Sequence, residues 1–358
     1  MATSDKSPAT VANLTERDLV ARIQRHLPPA PDWLLVGIGD DAAVVEPERN
    51  KVDVLSVDAF VEGVHFDRRF TPPDAIGHRA LAANLSDLAA MGAAPRLALL
   101  SLALPPSLPI EDFDGMAAGI TALAARHAMH VAGGNLTRSP GPLVVDITVV
   151  GTVKRRQVLT RAGARAGDDI YVSGSIGAAA AGLEMLRATT KDTKDTKVQS
   201  HNREDPSFVS SVSLVVNSCV ERYLHPEPRV RLGMLLSRNR AATACMDLSD
   251  GLADAVRQVA RASDVGAILD ADALPIDAGA RAWFTAHAAD PVNAALSGGD
   301  DYELLVGVRG RMRSRLAALA GCPGAPLTRV GVFTEDKALI VRRPTGDTPL
   351  PQGYAHFR

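Results

Sequence analysis

The chain has 358 residues, 46% of them hydrophobic and 22% charged, a balance that supports packed cores in about two domains. A formal charge of −2 excludes a global positive field for nucleic acid or an anionic membrane, and the basic cluster Lys154-Arg155-Arg156 with Arg161 and Arg165 is too small to make such a surface alone. Three cysteines without CxxC spacing (Cys219, Cys245, Cys322) exclude a disulfide framework or zinc site and read as buried or incidental thiols. With no apolar run of about 18 residues and a polar N-terminus, the sequence predicts a cytoplasmic protein with no membrane partner.

Residues 1–13 read as a disordered N-terminus. A helix is predicted from Thr15, which caps it, with Asp18 three residues on and an apolar stripe of Leu19, Ile23 and Leu27. Trp33–Val36 leads into Gly37-Ile38-Gly39-Asp40-Asp41, Ala42–Val45 resumes an apolar run, and Val52–Val57 is a β-branched strand ending at Asp58. Ala75–Met91 is a long Ala/Leu-rich helix stopped by Gly92 and Pro95. Strand Leu97–Leu104, helix Phe113–Ala128 and strand Leu143–Val153 complete a domain over 14–152 in which helices cover one side of a sheet. A second α/β domain, 153–358, is predicted from strands Ile170–Ser173, Ala241–Met246, Gly266–Leu269 and Leu304–Val308. Helices are predicted from Gly177 to Arg187, Val230 to Leu236 and Leu252 to Ala260. Within it, residues 189–208 contain the repeat Lys191-Asp192-Thr193-Lys194-Asp195-Thr196-Lys197 and read as a disordered insertion.

The carboxylates carry the functional signal. Asp41 follows a Gly-x-Gly turn, Asp58 ends a strand, and Asp87 lies in Asn84-Leu85-Ser86-Asp87-Leu88-Ala89-Ala90-Met91-Gly92. Asp247 and Asp250 flank Leu248-Ser249, and Asp300 and Asp301 follow Ser297-Gly298-Gly299. Hard oxygen donors at turns and element ends suit Mg²⁺, which keeps waters and substrate phosphates among its ligands. Helix capping by Asp87 or Asp250 is the bland alternative, and Gly167-Asp168-Asp169 reads as a structural turn. Gly133-Gly134-Asn135 is either a phosphate-cradling nest or an ordinary loop. A GxxxxGK[ST] loop, HExxH, a GxSxG elbow and HRD or DFG kinase signatures are all absent.

In order along the chain stand Gly37-Ile38-Gly39-Asp40-Asp41-Ala42-Ala43, Ser56-Val57-Asp58, Gly63-Val64-His65-Phe66, the Asn84–Gly92 motif, Leu159-Thr160-Arg161-Ala162-Gly163, Asp247-Leu248-Ser249-Asp250-Gly251 and Leu296-Ser297-Gly298-Gly299-Asp300-Asp301-Tyr302-Glu303-Leu304. From about Leu14 to Phe357 this closely resembles the thiamine-monophosphate kinases, of the aminoimidazole-ribonucleotide-synthetase-like (PurM-like) ATP-binding superfamily. The resemblance implies a two-domain α/β (α+β sandwich) fold, a homodimer whose N-terminal sheets join into a barrel, and ATP bound between domains. It implies Mg²⁺-dependent transfer of the ATP γ-phosphoryl to thiamine monophosphate, giving thiamine diphosphate and ADP. The matching magnesium positions are Asp41, Ser56, Val57 through its carbonyl, Asp58, Asp87, Asn135, Asp247 and Asp250. ATP contacts map to Gly134, Asn135, Arg161 and Ser249, and substrate contacts to His65, Asp300 and Tyr354.

Both reacting groups are phosphates, so the resemblance asks for charge neutralisation and alignment, and for no general base. His65 either donates to the acceptor phosphate or packs beside Phe66. Three positions depart from the family pattern: Asn135 replaces a usual Asp, Asp300 a usual Glu, and Val57 a usual Ser or Thr. A selenophosphate synthetase would want a cysteine before Cys219, and none is there. A non-catalytic nucleotide-binding relative is the alternative from another class.

Overall fold

The computed structural model describes residues 9–195, 218–319 and 326–354. They form two compact units, Met1–Asn84 with Pro95–Thr152, and Leu85–Ala94 with Val153–Arg358. The segment Leu85–Ala94, assigned by sequence to the first domain, therefore groups with the second.

In the first unit the chain is ordered earlier than its polarity suggests. Thr10 bridges to Pro109, the Val11 N–H donates to Leu108 O at 2.9 Å, and Val11–Asn13 forms a single 3-10 turn. Helix Glu16–Arg25 starts as predicted. The Thr15 hydroxyl accepts from the Asp18 N–H at 3.3 Å, and Asp18 Oδ2 accepts from the Thr15 N–H at 2.9 Å. Strands β1 (Leu34–Val36) and β2 (Val44–Val45) pair antiparallel. Strand β3 spans Val52–Val61, four residues longer than predicted, because Ala59-Phe60-Val61 resumes the alternation after Asp58.

Helix Pro73–Ala90 is buried almost all round, which suits its Ala/Leu composition. It ends where expected: Gly92 takes φ 68°, and the Ala93 N–H donates to Leu88 O at 2.9 Å. Strand β4 (Ala94–Leu104) and helix Ile110–Arg126 follow. Next comes β5 (His130–Arg138), an element the sequence reading missed by weighing its glycines only as a phosphate-cradling nest or a loop, and then β6 (Val144–Val153). The sheet order is β3-β6-β4-β5, so β3 and β5 are its two edges. One face packs Leu100, Leu102 and Val145 against Ile23, Phe113 and Ile120 of the helices. The other leaves Leu55 68%, Val57 58% and Leu99 36% exposed.

The second unit is built on a seven-stranded sheet with strands β7 (Asp169–Ser173), β8 (Ala244–Asp247), β9 (Gly266–Asp270), β10 (Leu304–Val308), β11 (Leu327–Thr334), β12 (Leu339–Arg342) and β13 (Thr348–Pro349). Its order is β13-β12-β9-β11-β7-β10-β8, with β12 and β9 parallel. Ile170, Val172, Leu305, Val330 and Phe333 form its core with Leu252, Val256 and Val259 of helix Leu252–Ser263. Helix Ala178–Asp195 runs eight residues past its predicted end and takes in part of the Lys-Asp-Thr repeat. Residues 196–208 of the predicted insertion lie outside the described residues, as does Cys322. Cys219 and Cys245 are free, buried thiols; burial and the neighbouring Asp277 push Cys219 up to about 12.

Leu85–Ala94 joins this unit through specific contacts. A Cβ on Gly233 would stand 2.0 Å from Ala89 O, so only glycine lets helix Val230–Asn239 approach that closely. The Leu159 N–H donates to Met91 O at 3.1 Å, and Ser86 Oγ to Asp247 Oδ2 at 2.9 Å.

Candidate functional site

In the first unit Asp41 is exposed on the turn after Gly39 (φ 122°), and its N–H donates to Asp40 Oδ1 at 2.8 Å. Ser56, Val57 and Asp58 lie inside β3, not at its end. Strand alternation puts Ser56 and Asp58 on one face, half-buried, and the Val57 side chain on the other. Gly134 and Asn135 are exposed on β5, opposite Leu100 and Ser101 of β4. A Cβ at position 134 would meet Leu100 O at 1.9 Å, so the glycine there serves close strand packing. The edges carrying Asp58 and Asn135 are three strand spacings apart, roughly 14 Å in a flat sheet. One chain's first unit does not bring these two residues together.

His65 stacks on Phe60, ring centroids 5.2 Å apart. Its Nδ1 accepts the Val61 N–H at 3.1 Å, which leaves the ring proton on Nε2. Beneath lies Arg79, 1% exposed, with its guanidinium 5.8 Å from the Phe60 centroid and Nη2 3.4 Å from His65 O. The sequence reading passed over Arg79; its signal was a guanidinium inside an otherwise Ala/Leu helix.

The second unit gathers more. Asp87 lies inside helix Pro73–Ala90, and helix Leu252–Ser263 is capped by Gly251, so neither Asp87 nor Asp250 is an N-cap. Asp247 ends β8, 3% exposed, and holds the Ser86 hydroxyl. The Asp300 N–H donates to Ser249 O at 2.8 Å and the Tyr354 N–H to Asp250 O at 3.3 Å, so Ser249, Asp250, Asp300 and Tyr354 form one cluster of bonded backbone. Tyr354 is 52% exposed. The segment of Arg161 lies along β8 through the Cys245 N–H to Thr160 O bond of 2.9 Å, and Arg161 Nη1 bonds Gln258 Oε1 at 2.5 Å. Among the described residues no three Asp, Glu, His or Cys side chains form a ready-made metal cage.

Other acids proved structural. Asp168 accepts from the Thr243 hydroxyl at 3.0 Å, and Asp169 from Arg313 and Arg329 at 2.5 and 2.7 Å. Burial raises the Asp169 carboxyl, but the two guanidiniums outweigh it and hold the group below its usual range.

Two family models match: AIR synthase related protein, N-terminal domain, over residues 39–153, and the C-terminal domain of the same family over 165–343. Thiamine-monophosphate kinase of Bacillus subtilis is 33% identical over 333 residues, covering 90% of this chain and 94% of that one. The chain belongs to the thiamine-monophosphate kinase family. Among solved structures, thiamine-monophosphate kinase from Stenotrophomonas maltophilia superposes with a TM-score of 0.76 at 37% identity, covering 92% of this chain and 96% of that one. AaThiL complexed with AMPPCP and TMP superposes at 0.71 with 28% identity, covering 96% and 98%.

In this family member the loop before β10 holds two buried acids. Asp301 accepts the Gly177 and Ala179 N–H groups at 2.7 and 3.2 Å, at the start of helix Ala178–Asp195. Burial pushes the Asp301 carboxyl up to about 7, against Gly177, the charge of Arg222 and Ala179. A carboxyl with a folded pKa above its unfolded value of about 3.9 holds its proton more tightly when folded. Its contribution is then full at low pH and lost as the pH rises to about 7. Asp301→Asn, which keeps an accepting oxygen but cannot titrate, is expected to flatten the fall in melting temperature between about pH 4 and pH 7. Equal slopes in the two proteins would show that Asp301 stays ionised throughout.

Proposed function

We propose that this chain transfers the γ-phosphoryl of ATP to thiamine monophosphate, forming thiamine diphosphate and ADP. The observation that carries this is the 33% identity to a thiamine-monophosphate kinase across 90% of the chain. Most of the motifs singled out in the sequence lie inside the matched family domains, with Leu159–Gly163 between them. An acceptor phosphate oxygen forms a bond to the γ-phosphorus, and the bond from that phosphorus to the β–γ bridging oxygen breaks as ADP leaves. The acceptor oxygen is already anionic near neutral pH, so no side chain need remove a proton.

Magnesium fits the donor set: Asp41, Ser56, Val57 (carbonyl), Asp58, Asp87, Asn135, Asp247 and Asp250 offer only oxygens. Their division into small groups suits an ion that keeps waters and substrate phosphates. Bound there, Mg²⁺ would neutralise the phosphates that must approach one another. Arg161, exposed beside β8, would add a guanidinium to the triphosphate, and Ser249 a hydroxyl. Gly134 and Asn135 would offer edge-strand backbone to nucleotide. His65 offers an Nε2 proton to the acceptor phosphate, Asp300 a negative charge to its cationic ring, and Tyr354 an exposed aromatic face.

A homodimer belongs to the same reading. The open face with Leu55, Val57 and Leu99, and the edges β3 and β5, unpaired on their outer sides among the described residues, favour a second copy closing the sheet into a barrel. The free thiols suit the cytoplasm. No helix among the described residues is long and apolar enough to cross a membrane.

The test is purified protein with ATP, Mg²⁺ and thiamine monophosphate, with thiamine and a chelator as controls, and light scattering on the same sample. Thiamine diphosphate is expected from the monophosphate alone, only with Mg²⁺, from a dimer that Leu55→Glu splits. ATP binding without product would sink the activity, and a monomeric wild type would sink the barrel.

A further inference from the structure

The loop Gly298–Glu303 is held from both ends with its middle residue left accessible. Asp300 (φ 68°) and Tyr302 (φ 49°) both take left-handed backbone, a conformation that costs a non-glycine residue about 1 kcal/mol or more. The surroundings impose it. The Asp300 N–H donates to Ser249 O at 2.8 Å, the Tyr302 N–H to Leu248 O at 3.1 Å, and the Leu248 N–H to Glu303 O at 2.8 Å. Asp301 is pinned at the start of helix Ala178–Asp195. Glu303, 0% exposed, is clasped by Arg222, Arg229 and the Ser173 hydroxyl.

Tyr302 is 3% exposed, yet its hydroxyl reaches back two residues and donates to Asp300 Oδ1 at 3.1 Å. A phenol fixed in the core is thus bonded to a carboxylate that remains half-buried at the surface of the Ser249 cluster. An aspartate tied at one oxygen loses rotamer freedom before any ligand arrives, so the ligand need not supply that ordering.

We propose that Tyr302 is a positioning residue for acceptor recognition, its buried hydroxyl orienting the Asp300 carboxylate toward the cationic ring of the thiamine-phosphate acceptor. This rests on the reading that Asp300 meets the acceptor. In this role Tyr302 acts through Asp300, so removal of its hydroxyl weakens acceptor binding and leaves the phosphoryl-transfer step and nucleotide binding unchanged.

Tyr302→Phe keeps the ring and its packing and removes only the hydroxyl. Loss of one such bond is expected to raise KM for thiamine monophosphate about three- to tenfold. KM for ATP and kcat should stay within about twofold, since a uniform binding loss appears in KM. Asp300→Ala and the double variant complete a cycle, with calorimetric binding of thiamine monophosphate as a readout that needs no turnover. Tyr302→Phe is expected to add nothing in the Asp300→Ala background. If Asp300→Ala leaves acceptor binding unchanged, the placement of the acceptor at Asp300 fails. If Asp300→Ala weakens binding while Tyr302→Phe does not, or the two add fully, Tyr302 does not position the carboxylate.

Discussion

Asp58→Asn and Asp87→Asn are each expected to lower kcat on the order of a hundredfold or more while leaving the melting temperature unchanged or higher. Neither residue is where local structure wants a carboxylate. Asp58 sits in the interior of β3, among residues of high strand preference, and Asp87 in the interior of helix Pro73–Ala90. Aspartate is a poor former of both elements, and neither side chain caps a helix. That placement supports the proposal that both carboxylates serve magnesium. The neutral amide has nearly the same shape and removes the charge alone, so a proposed magnesium ligand is weakened with little change in packing. Saturating turnover at several Mg²⁺ concentrations, together with calorimetric melting, measures both halves. Turnover that stays at the wild-type level would remove that residue from the site.

Glu303→Ala is expected to destabilise the fold by about 3–5 kcal/mol, because it leaves two guanidiniums in a buried site without their partner. The carboxylate is fully buried, with Arg222 Nη2 at 2.9 Å, Arg229 Nε at 2.7 Å and Ser173 Oγ at 2.6 Å. The neighbouring backbone leaves it room only because Gly174 lacks a Cβ, which would stand 2.1 Å from Glu303 Oε1. If the second unit melts by itself as a body of roughly 200 residues, the loss corresponds to a fall of roughly 6–20 °C in its melting temperature. Glu303→Gln, which keeps the volume and one accepting oxygen, should fall less. A drop below about 1 kcal/mol for Glu303→Ala would mean that the cluster is hydrated and weak.

The two acids next to each other in sequence illustrate how far reading the chain could reach. Asp300 and Asp301 were equally visible beside Gly298-Gly299, yet Asp301 is sealed under a helix start and Asp300 is half-exposed. Asp168 and Asp169 show the same limit more strongly, since Thr243 and Arg309, the partners of Asp168, and Arg313 and Arg329, those of Asp169, lie far along the chain. Val52–Val57 was legible as a strand but its end was not, because Asp58 interrupts the pattern for one residue before Phe60 restores it.

The sequence by itself determined what depends on neighbours within about one turn. The Thr15–Asp18 box starts a helix, the Gly92 stop ends one, and the ordered Gly-Asp motifs mark the family, because capping and turn geometry are settled by residues a few positions apart. Only the tertiary structure decided which carboxylates are anchored and which remain accessible, and that Gly134-Asn135 lies on an edge strand. It also decided that Leu85–Ala94 belongs to the second unit. Those outcomes rest on burial and on partners distant in sequence, where local preference is outweighed by the penalty of leaving a charge or a backbone group unpaired in the core.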